Sequence, residues 1–312
     1  MNYLAPIQGF TDYVYRKSYS EVFPGIDKFF IPYISVKNNE ILKKYEKEIL
    51  PQNNLQKIVI PQVLAKNENE LLFLSKILDD FGYKEINLNL GCPYPMVTNR
   101  EKGAGLLPHP EKIKRIIAHF FEKSNLKLSV KVRAGLNSSK EIESIIPVFN
   151  EFPLTEIIFH PRIAKQLYKG EIFDSAFEFA LKNLKHKLVY NGDIFSLNEY
   201  NMRSQQFPET KNWMLGRGVL MNPFLPEEIN QISFSADEKI ERLKKFHQII
   251  FEGYSKIMDN PGNVINKMTQ FWSYFSCNFP NQKKVFKGIK KSRNTATYAQ
   301  ETQKAFLSLY KN

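Results

Sequence analysis

Cys92, one of only two cysteines in this 312-residue chain, lies in a pattern that could carry chemistry. It belongs to the sequence Asn-Leu-Gly-Cys-Pro at residues 89–93 and follows an apolar run at 86–88, which predicts a buried strand. Gly91 and Pro93 predict a loop at the end of that strand. Because catalytic side chains concentrate on loops held by a rigid scaffold, a substrate could reach this thiol. A cysteine taken alone is more often a buried structural residue, so its interpretation depends on the elements around it.

Eight short apolar runs rich in β-forming residues alternate with helical patterns before residue 230. The runs are residues 3–6, 29–31, 58–60, 86–88, 128–132, 157–159, 188–190 and 213–215, and helical patterns lie at 68–81 and 110–122. This alternation is the rhythm of βα units. Eight such units in about 230 residues are typical of a (β/α)8 TIM barrel. The sequence therefore predicts an α/β protein built on a TIM barrel, and an open doubly wound sheet is the competing architecture.

After residue 232 the strand signals end. Helical patterns lie at 237–258, 263–275, 282–292 and 296–310, and Ser235 is the predicted N-cap of the first. The aromatic stretch at 271–275 (Phe-Trp-Ser-Tyr-Phe) predicts the core of a helical domain rather than a platform for stacking bases. We therefore divide the chain into a barrel domain, residues 1–232, and a small all-α helical domain, residues 233–312.

The positive charge of the chain is concentrated in the predicted helical domain. Residues 233–312 contain 14 Lys and Arg against 6 Asp and Glu, a net charge of +8, and the whole chain carries +12. A small basic domain beside a nearly neutral one indicates a polyanionic partner. Solubility is the alternative explanation, and charge alone does not exclude it.

In a TIM barrel the chemistry belongs at the C-terminal ends of the strands. Polar side chains follow seven of the eight predicted strands: Gln8, Gln62, Asn89, Cys92, Lys131, Arg133, His160, Asn191, Asp193 and Arg217. Strand alternation puts Lys131 and Arg133 on one face, and a lysine facing a barrel interior needs an anionic partner. The loops at 191–193 (Asn-Gly-Asp) and 216–218 (Gly-Arg-Gly) lie where such barrels bind phosphate, which predicts a phosphorylated cofactor.

These motifs together resemble those of bacterial tRNA-dihydrouridine synthases. The matching segments are residues 5–12, 61–62, 89–93, 102–107, 131–135, 160–162 with Tyr168, 191–194, 216–218 and 222–223, in unbroken order. Two positions depart from the family pattern. Ile7 replaces a usual methionine, and Pro161 follows His160 where glycine is common.

The resemblance implies an FMN-dependent enzyme that reduces the C5=C6 bond of selected uridines in tRNA with NADPH as reductant. Cys92 would be the general acid that protonates C5. The implied cofactor-binding residues are Pro6, Ile7, Gln62, Lys131, His160, Asn191, Gly192, Asp193, Gly216 and Arg217. Among them, Gln62 would hydrogen-bond the flavin ring edge and Lys131 would neutralise charge near the ring. Asn89, Arg162 and Tyr168 would contact the target nucleotide.

Residues 283–293 form the most basic stretch of the helical domain. As a helix, this stretch places Lys283, Lys287, Lys290 and Lys291 on one face, with Arg293 just beyond them, and turns its apolar residues toward another face. We interpret these five residues as a tRNA-facing strip whose binding weakens with salt. A solvated helix face is the alternative.

The composition also sets limits. No apolar run has membrane-spanning length, and the N-terminal residues lack a signal-peptide pattern. Two cysteines cannot supply a disulfide framework or a four-sulfur metal site, so we expect a cytoplasmic, metal-free protein, with a monomer as the default. Two other functions stay open: an FMN barrel acting on a free pyrimidine, such as a dihydroorotate dehydrogenase, and a non-catalytic RNA-binding barrel. The basic helical domain argues against the first, and Cys92 beside a flavin-site pattern argues against the second.

Overall fold

A computed structural model describes residues 1–37, 40–54 and 58–311 of the chain. The strands are β1 (Asn2–Leu4), β2 (Lys28–Ile34), β3 (Val36–Lys37), β4 (Glu40–Ile41), β5 (Val59–Val63), β6 (Glu85–Leu90), β7 (Lys127–Gly135), β8 (Ile157–Ile163), β9 (Leu188–Tyr190) and β10 (Trp213–Leu215). Eight of them close a parallel barrel in the order β1-β2-β5-β6-β7-β8-β9-β10, with β10 paired to β1. The predicted TIM barrel is confirmed, and the open sheet is wrong. Residues 38–39, 55–57 and 312, which fall within the predicted domains, lie outside the described residues.

Helices alternate with the barrel strands, and after β10 the described chain contains helices but no further strand. They are α1 (Tyr13–Val22), α2 (Lys43–Ile49), α3 (Glu68–Asp80), α4 (Pro95–Thr98), α5 (Pro110–Lys123), α6 (Glu141–Phe149), α7 (Asp174–Asn183), α8 (Leu197–Gln206), α9 (Arg217–Met221), α10 (Leu225–Ile229), α11 (Ala236–Ile257), α12 (Pro261–Phe275), α13 (Gln282–Lys291) and α14 (Thr295–Ser308). Ser235 caps α11, as its sequence predicts, by accepting from the Glu238 backbone N–H. The four predicted helices after residue 232 correspond to α11–α14, which form an all-helical tail.

Three barrel strands contain a proline and extend beyond the apolar run that predicted them. Pro32 lies within β2, Pro61 within β5 and Pro161 within β8. A proline has no N–H for the ladder, and the pairing register shifts beside Pro32, between Ile31 and Ile34, and beside Pro161, between His160 and Ile163. The shifted pairing lets β2 and β8 extend further toward the C-terminal end of the barrel.

The barrel interior changes character along its axis. Its lower part is apolar and is filled by Tyr3, Ala5, Phe30, Ile60, Ile158, Val189 and Met214. Above this layer the inward positions of β5, β6 and β7 carry amide, hydroxyl and cationic side chains instead, all the way to the C-terminal end. The outward positions, such as Val130 and Val132, pack against the surrounding helices. The apolar residues therefore lie beneath the polar side chains at the C-terminal end of the barrel.

The helical tail docks against the first βα unit. Phe246 of α11 packs edge to face on Tyr15 and Tyr19 of α1. Asp12, the N-cap of α1, accepts from the Tyr254 hydroxyl at 2.9 Å and forms an ion pair with Lys267 at 2.8 Å. We call Asp12, Tyr254 and Lys267 the docking clamp. It joins two tail helices to the loop that leaves β1.

A polar cluster lies within the tail core. The Tyr298 hydroxyl lies 2.7 Å from His247 Nε2 and accepts from Trp272 Nε1 at 2.9 Å. Burial lowers the pKa of His247 to about 3, so the ring is neutral. Trp272 and Phe275 are fully buried here, which agrees with the sequence prediction that the aromatic stretch 271–275 forms core.

Candidate active site

A cavity of about 270 Å³ opens at the C-terminal ends of the barrel strands. All of the predicted cofactor residues line it: Pro6, Ile7, Gln62, Lys131, His160, Asn191, Gly192, Asp193, Gly216 and Arg217. Cys92, Asn89 and Tyr168 line it too. Arg162 and the basic residues of α13 do not belong to its lining. The structure thus brings most of the predicted site residues together, while their individual roles stay predictions.

Cys92 follows the end of β6 and is buried beside Tyr33 of β2, whose hydroxyl lies 4.0 Å from its Sγ. Asn89 fixes the turn, because its Oδ1 accepts from the backbone N–H of Gly91 at 3.0 Å and of Cys92 at 2.8 Å. Burial raises the pKa of the Cys92 thiol above its ordinary value, and the opposing pull of the Tyr94 N–H, the Tyr33 hydroxyl and nearby cations is weaker. At neutral pH the sulfur therefore carries its proton.

The glycine-rich segment at 102–107 packs behind this thiol. Gly103 has a φ of +56°, and a Cβ there would lie 2.9 Å from the Cys92 Cβ and carbonyl oxygen. The next residue, Ala104, donates its N–H to the same carbonyl at 3.1 Å. A side chain at position 103 would push the Cys92 loop out of place, so the segment supports the thiol from behind.

Lys131 and Arg133 extend from β7 into the cavity without a carboxylate partner. Within the described residues, no Asp or Glu oxygen lies within 4.0 Å of either cation. Burial and the adjacent guanidinium lower the pKa of Lys131 to about 7, and burial lowers that of Arg133 to about 10. Arg133 is held in place by the carbonyl oxygens of Gly91 and Ile163, at 3.0 and 2.9 Å. An anionic ligand would supply the charge that this face lacks.

The part of the cavity wall after β9 holds a network centred on Asp193. Its carboxylate accepts from Arg217 at 2.8 Å and from Arg162 at 2.5 Å. Arg162 is buried and also donates to the Gly170 carbonyl at 2.8 Å, so its guanidinium faces the loop rather than the cavity. Its predicted contact with the nucleotide stays untested, and the observed bonds make it a support for Asp193. Burial and the surrounding cations hold the pKa of His160 well below its usual range, which leaves a neutral imidazole.

Tyr168 covers this wall as a half-exposed ring. It is 42% exposed, and the guanidinium groups of Arg133 and Arg217 each lie 5.2 Å from its ring centre. The preceding Leu167 has a φ of +51°, a conformation that costs a leucine energy. The strained turn presents the tyrosine to the cavity between two cations, where a planar ligand could stack on it.

The glycine loops after β9 and β10 are shaped first by packing. A Cβ at Gly192 would lie 2.4 Å from the Tyr190 hydroxyl, and one at Gly218 would lie 2.1 Å from the Ile194 carbonyl oxygen. Gly192 therefore makes room for the tyrosine of its own strand, and Gly218 lets the loop after β10 approach the loop after β9. Gly216 differs, because a Cβ there meets nothing closer than 3.6 Å. The predicted phosphate site therefore depends on the exposed backbone and Arg217 rather than on all of these glycines.

Three tyrosines that line the cavity were not predicted from the sequence: Tyr33, Tyr94 and Tyr274. Tyr33 lies in β2 beyond the predicted apolar run, which ends at Ile31. Tyr274 belongs to the aromatic stretch assigned to the tail core, but it is only partly buried and lines the cavity, where it packs edge to face on Phe10 at 5.0 Å. The period of α12 gives no warning of this, because Tyr274 lies three residues after the buried Phe271 and therefore close to the same helix face. The helical tail therefore supplies part of the cavity wall.

Among the described residues, no three His, Cys, Asp or Glu side chains group closely enough to hold a metal ion. Over the same residues, no helix combines the length and apolar character needed to cross a bilayer. The arrangement at the cavity can instead bind an anion, seat a flat ring and deliver a proton from the Cys92 thiol.

The sequence profile of the family described as Dihydrouridine synthase (Dus) matches residues 3–310. A "Probable tRNA-dihydrouridine synthase" of Staphylococcus epidermidis is 27% identical over 262 residues, which are 81% of this chain and 78% of that protein. A "tRNA-dihydrouridine(47) synthase [NAD(P)(+)]-like" protein of Arabidopsis thaliana is 29% identical over 168 residues, which are 52% of this chain and 24% of that protein. The chain thus spans about a quarter of the plant relative.

Solved structures share the fold at much lower identity. An old yellow enzyme homologue from Zymomonas mobilis superposes with a TM-score of 0.55 at 9% identity, covering 75% of this chain and 89% of that one. At this identity the similarity establishes the barrel architecture alone.

Proposed function

Because this chain belongs to the dihydrouridine synthase family, we propose that it reduces the C5=C6 bond of specific uridines in tRNA, with bound FMN and with NADPH as the reductant. The observation that carries this proposal is the convergence of a protonated thiol, two cations without carboxylate partners and a set of buried amides on one cavity. The names of the bacterial and plant relatives support tRNA as substrate, and the name of the plant relative also supports a nicotinamide reductant.

The cavity residues fit FMN in chemical character. Lys131, Arg133 and Arg217 give the wall more positive charge than Asp193 can neutralise, which suits a phosphate and a ring that carries negative charge when reduced. Ala5, Pro6 and Ile7 provide apolar surface for one face of a ring. We assign the phosphate to Arg217 and the loops after β9 and β10, and the ring edge to Gln62 and Lys131. When bound, FMN supplies the hydride that adds to C6 of the uracil.

Cys92 is the proposed general acid. Addition of hydride to C6 leaves negative charge toward C5 and the O4 carbonyl, and the thiol proton completes the reduction at C5. The raised pKa of Cys92 keeps that proton in place before the reaction. Afterwards, the charges of Lys131 and Arg133 and the Tyr33 hydroxyl stabilise the thiolate until it regains a proton from solvent. Asn89 and Tyr168 are the proposed contacts to the uracil.

The helical tail is the proposed docking surface for tRNA. A uridine must leave its stack to reach the cavity, and contacts to the phosphate backbone have to offset that energy. Lys283, Lys287, Lys290, Lys291 and Arg293 are exposed, and none lies within 4.0 Å of a carboxylate in the described part of the chain. Ile289 of the same helix is buried, so α13 turns its apolar side inward and its lysines to solvent. We call the five basic residues the basic strip.

The activity assay separates this proposal from its two alternatives. The purified protein should be yellow, should release FMN on denaturation, and should form dihydrouridine in unmodified tRNA transcripts when NADPH is added. Free uracil and orotate should not be reduced. A flavoprotein that reduces orotate but leaves tRNA unchanged would contradict the proposal, and so would a colourless protein that binds tRNA without modifying it.

Charge reversal tests the basic strip separately. The Lys287→Glu/Lys290→Glu variant should bind tRNA at least tenfold more weakly, and its salt dependence should lose a slope of about two. Flavin reduction by NADPH should stay unchanged. The matched control, Lys182→Glu/Lys185→Glu, changes the same charge at exposed sites near α7 on the barrel. Equal tRNA affinity in both double variants would remove the strip from the interface.

A further inference from the structure

Four polar side chains form a hydrogen-bonded row inside the upper barrel. They are Ser129 of β7, Asn87 of β6, Gln62 of β5 and Asn89 of β6, and all four are buried. We call them the amide relay. Gln62 and Asn89 line the cavity, whereas Asn87 and Ser129 lie one layer below and do not. The row ends at the backbone of Cys92, because Asn89 Oδ1 accepts from its N–H.

The direction of each hydrogen bond in the amide relay is set at its upper end, by the backbone of the Cys92 turn. The backbone N–H groups of Gly91 and Cys92 can only donate, so the side-chain oxygen of Asn89 must face them. Asn89 Nδ2 then points at Gln62, and the atom that receives it, at 2.6 Å, has to be the oxygen Oε1. The amide nitrogen of Gln62 is left to face Asn87.

The same constraint passes down to Ser129. Gln62 Nε2 donates to Asn87 Oδ1 at 2.8 Å, and Asn87 Nδ2 donates to Ser129 Oγ at 3.0 Å. The serine hydrogen is then free to reach the Ile86 carbonyl oxygen, 3.4 Å away. Reversing any one amide would set two donors or two acceptors face to face in a buried site, which is unfavourable. Each amide in the row therefore has a single orientation.

We infer that Asn87, which does not touch the cavity, is a positioning residue that sets the hydrogen-bonding character of the cavity floor. Asn89 Oδ1 already accepts two N–H groups, so the free capacity of that side chain is one N–H donor. Gln62 likewise keeps one N–H because Asn87 takes only the other. The floor thus offers donors to carbonyl oxygens, as found on the pyrimidine edges of a uracil or a flavin. This inference rests on the proposed function for the identity of those ligands.

Two substitutions at position 87 separate positioning from packing. In Asn87→Asp, a carboxylate oxygen still accepts from Gln62, and the Ser129 hydroxyl can turn to donate to the other oxygen. In Asn87→Leu, Gln62 loses its acceptor and can reverse, which turns a donor toward Asn89 and loosens the Cys92 turn. We expect N87D to form dihydrouridine within about threefold of wild type, and N87L to lose at least 30-fold in kcat.

Two further readouts respond to the relay and not to general stability. The visible absorption bands of bound flavin should shift in N87L and stay in place in N87D, because only N87L changes the donors at the ring edge. In a Cys277→Ser background, which leaves Cys92 as the sole thiol, the alkylation rate of Cys92 should change at least threefold in N87L and little in N87D. Asn87→Val carries the same expectation as N87L and replaces it if leucine does not pack.

The inference is overturned if folded N87L matches wild type in turnover, absorption and alkylation. It is also overturned if N87D is as impaired as N87L, since an acceptor at this position would then not be what matters. A wild-type protein that makes no dihydrouridine contradicts the proposed function instead, and the alkylation comparison still tests the relay in that case.

Discussion

The two ends of the barrel treat buried charge in opposite ways. At the N-terminal end, Glu156 is buried and accepts from Lys28 at 3.0 Å and from the Tyr3 hydroxyl at 2.9 Å, with Lys187 at 3.6 Å. At the C-terminal end, Lys131 and its neighbouring arginine face a cavity, and no carboxylate pairs with them in the described residues. The lower end has its anion built in. At the upper end Asp193 pairs with Arg162 and Arg217, but the two cations of β7 are left for a ligand to neutralise.

This difference indicates which buried charges stabilise the barrel and which destabilise it until a ligand binds. A paired buried charge loses a great deal when one partner is removed, whereas an unpaired one destabilises the empty protein and strengthens the binding of an anion. Substitutions at the lower end should therefore change stability, and substitutions at the upper end should change chemistry or cofactor binding.

The strongest test of the contrast is Cys92→Ala. Loss of the proton donor should lower dihydrouridine formation at least 100-fold, while the midpoint of thermal unfolding and the FMN content change little. Turnover in single-turnover reactions and flavin absorbance measure the two effects. Cys277→Ala, which removes the tail thiol, is the control and should keep full activity. A Cys92→Ala enzyme within threefold of wild type would contradict the acid role.

Glu156→Gln should produce the reverse result. Lys28 and Lys187 lose their carboxylate, and the fold should lose about 2 kcal/mol, less than for a fully enclosed pair because both lysines reach solvent. Urea denaturation measures the loss, and activity at room temperature should be unchanged. Glu122→Gln, which removes the surface carboxylate next to Lys123 and His119, should have no measurable effect. An unaltered denaturation midpoint for Glu156→Gln would contradict the stabilising role assigned to the N-terminal end of the barrel.

Lys131→Met should stabilise the flavin-free protein and weaken its binding of FMN. The pKa of Lys131 in the folded chain is about 7, below its ordinary value, so between pH 7 and about 10 the unfolded chain holds this proton and the folded chain does not. Raising the pH therefore stabilises the wild-type fold, by up to about 1.4 kcal/mol per pH unit from this group. The variant should lack that share of the slope. Denaturation of both proteins at pH 7, 8 and 9 measures it, and parallel pH profiles would show that Lys131 is not destabilised in the empty cavity.

The smallest expected effect tests whether the helical tail contributes to the catalytic surface at the C-terminal end of the barrel. Tyr274→Ala removes the one tail side chain on the cavity wall in the described part of the chain. It should raise the KM for tRNA about fivefold, the weaker range of an aromatic contact to a base. Flavin reduction by NADPH should not change. Tyr310→Ala removes an exposed tail tyrosine that bonds Glu241 and serves as the control. If both variants keep the wild-type KM, the catalytic surface ends with the barrel.

The sequence located the strands well because each is a short apolar run followed by polar residues. It underestimated the length of β2, β5 and β8, because the apolar run of each stops just before a proline, and the strand continues past Pro32, Pro61 or Pro161. Inside a barrel, a bulge accommodates the proline of β2, and the chain continues to Tyr33 and Ile34. Gln62 was found despite this error, because a polar residue at a strand end is conspicuous in any register.

The pairings of the site were beyond the reach of the sequence. Nothing local predicts that Arg162 bonds Asp193 or that Tyr274 meets Phe10. Each of these contacts joins segments brought together only when the barrel closes or the tail docks. The aromatic density around Tyr274 also pointed to core, which holds for Trp272 beside it.

The docking clamp has a kinetic consequence for a long, flexible polynucleotide. Asp12 starts α1 and at the same time binds Tyr254 and Lys267, so the tail cannot swing outward without uncapping a barrel helix. In the proposed tRNA complex, incoming RNA would meet a template whose halves are already aligned and which needs no closing motion, so little ordering entropy would be lost on contact. Capture would then be governed by long-range attraction and diffusion, and the distortion needed to expose the base would fall on the RNA alone.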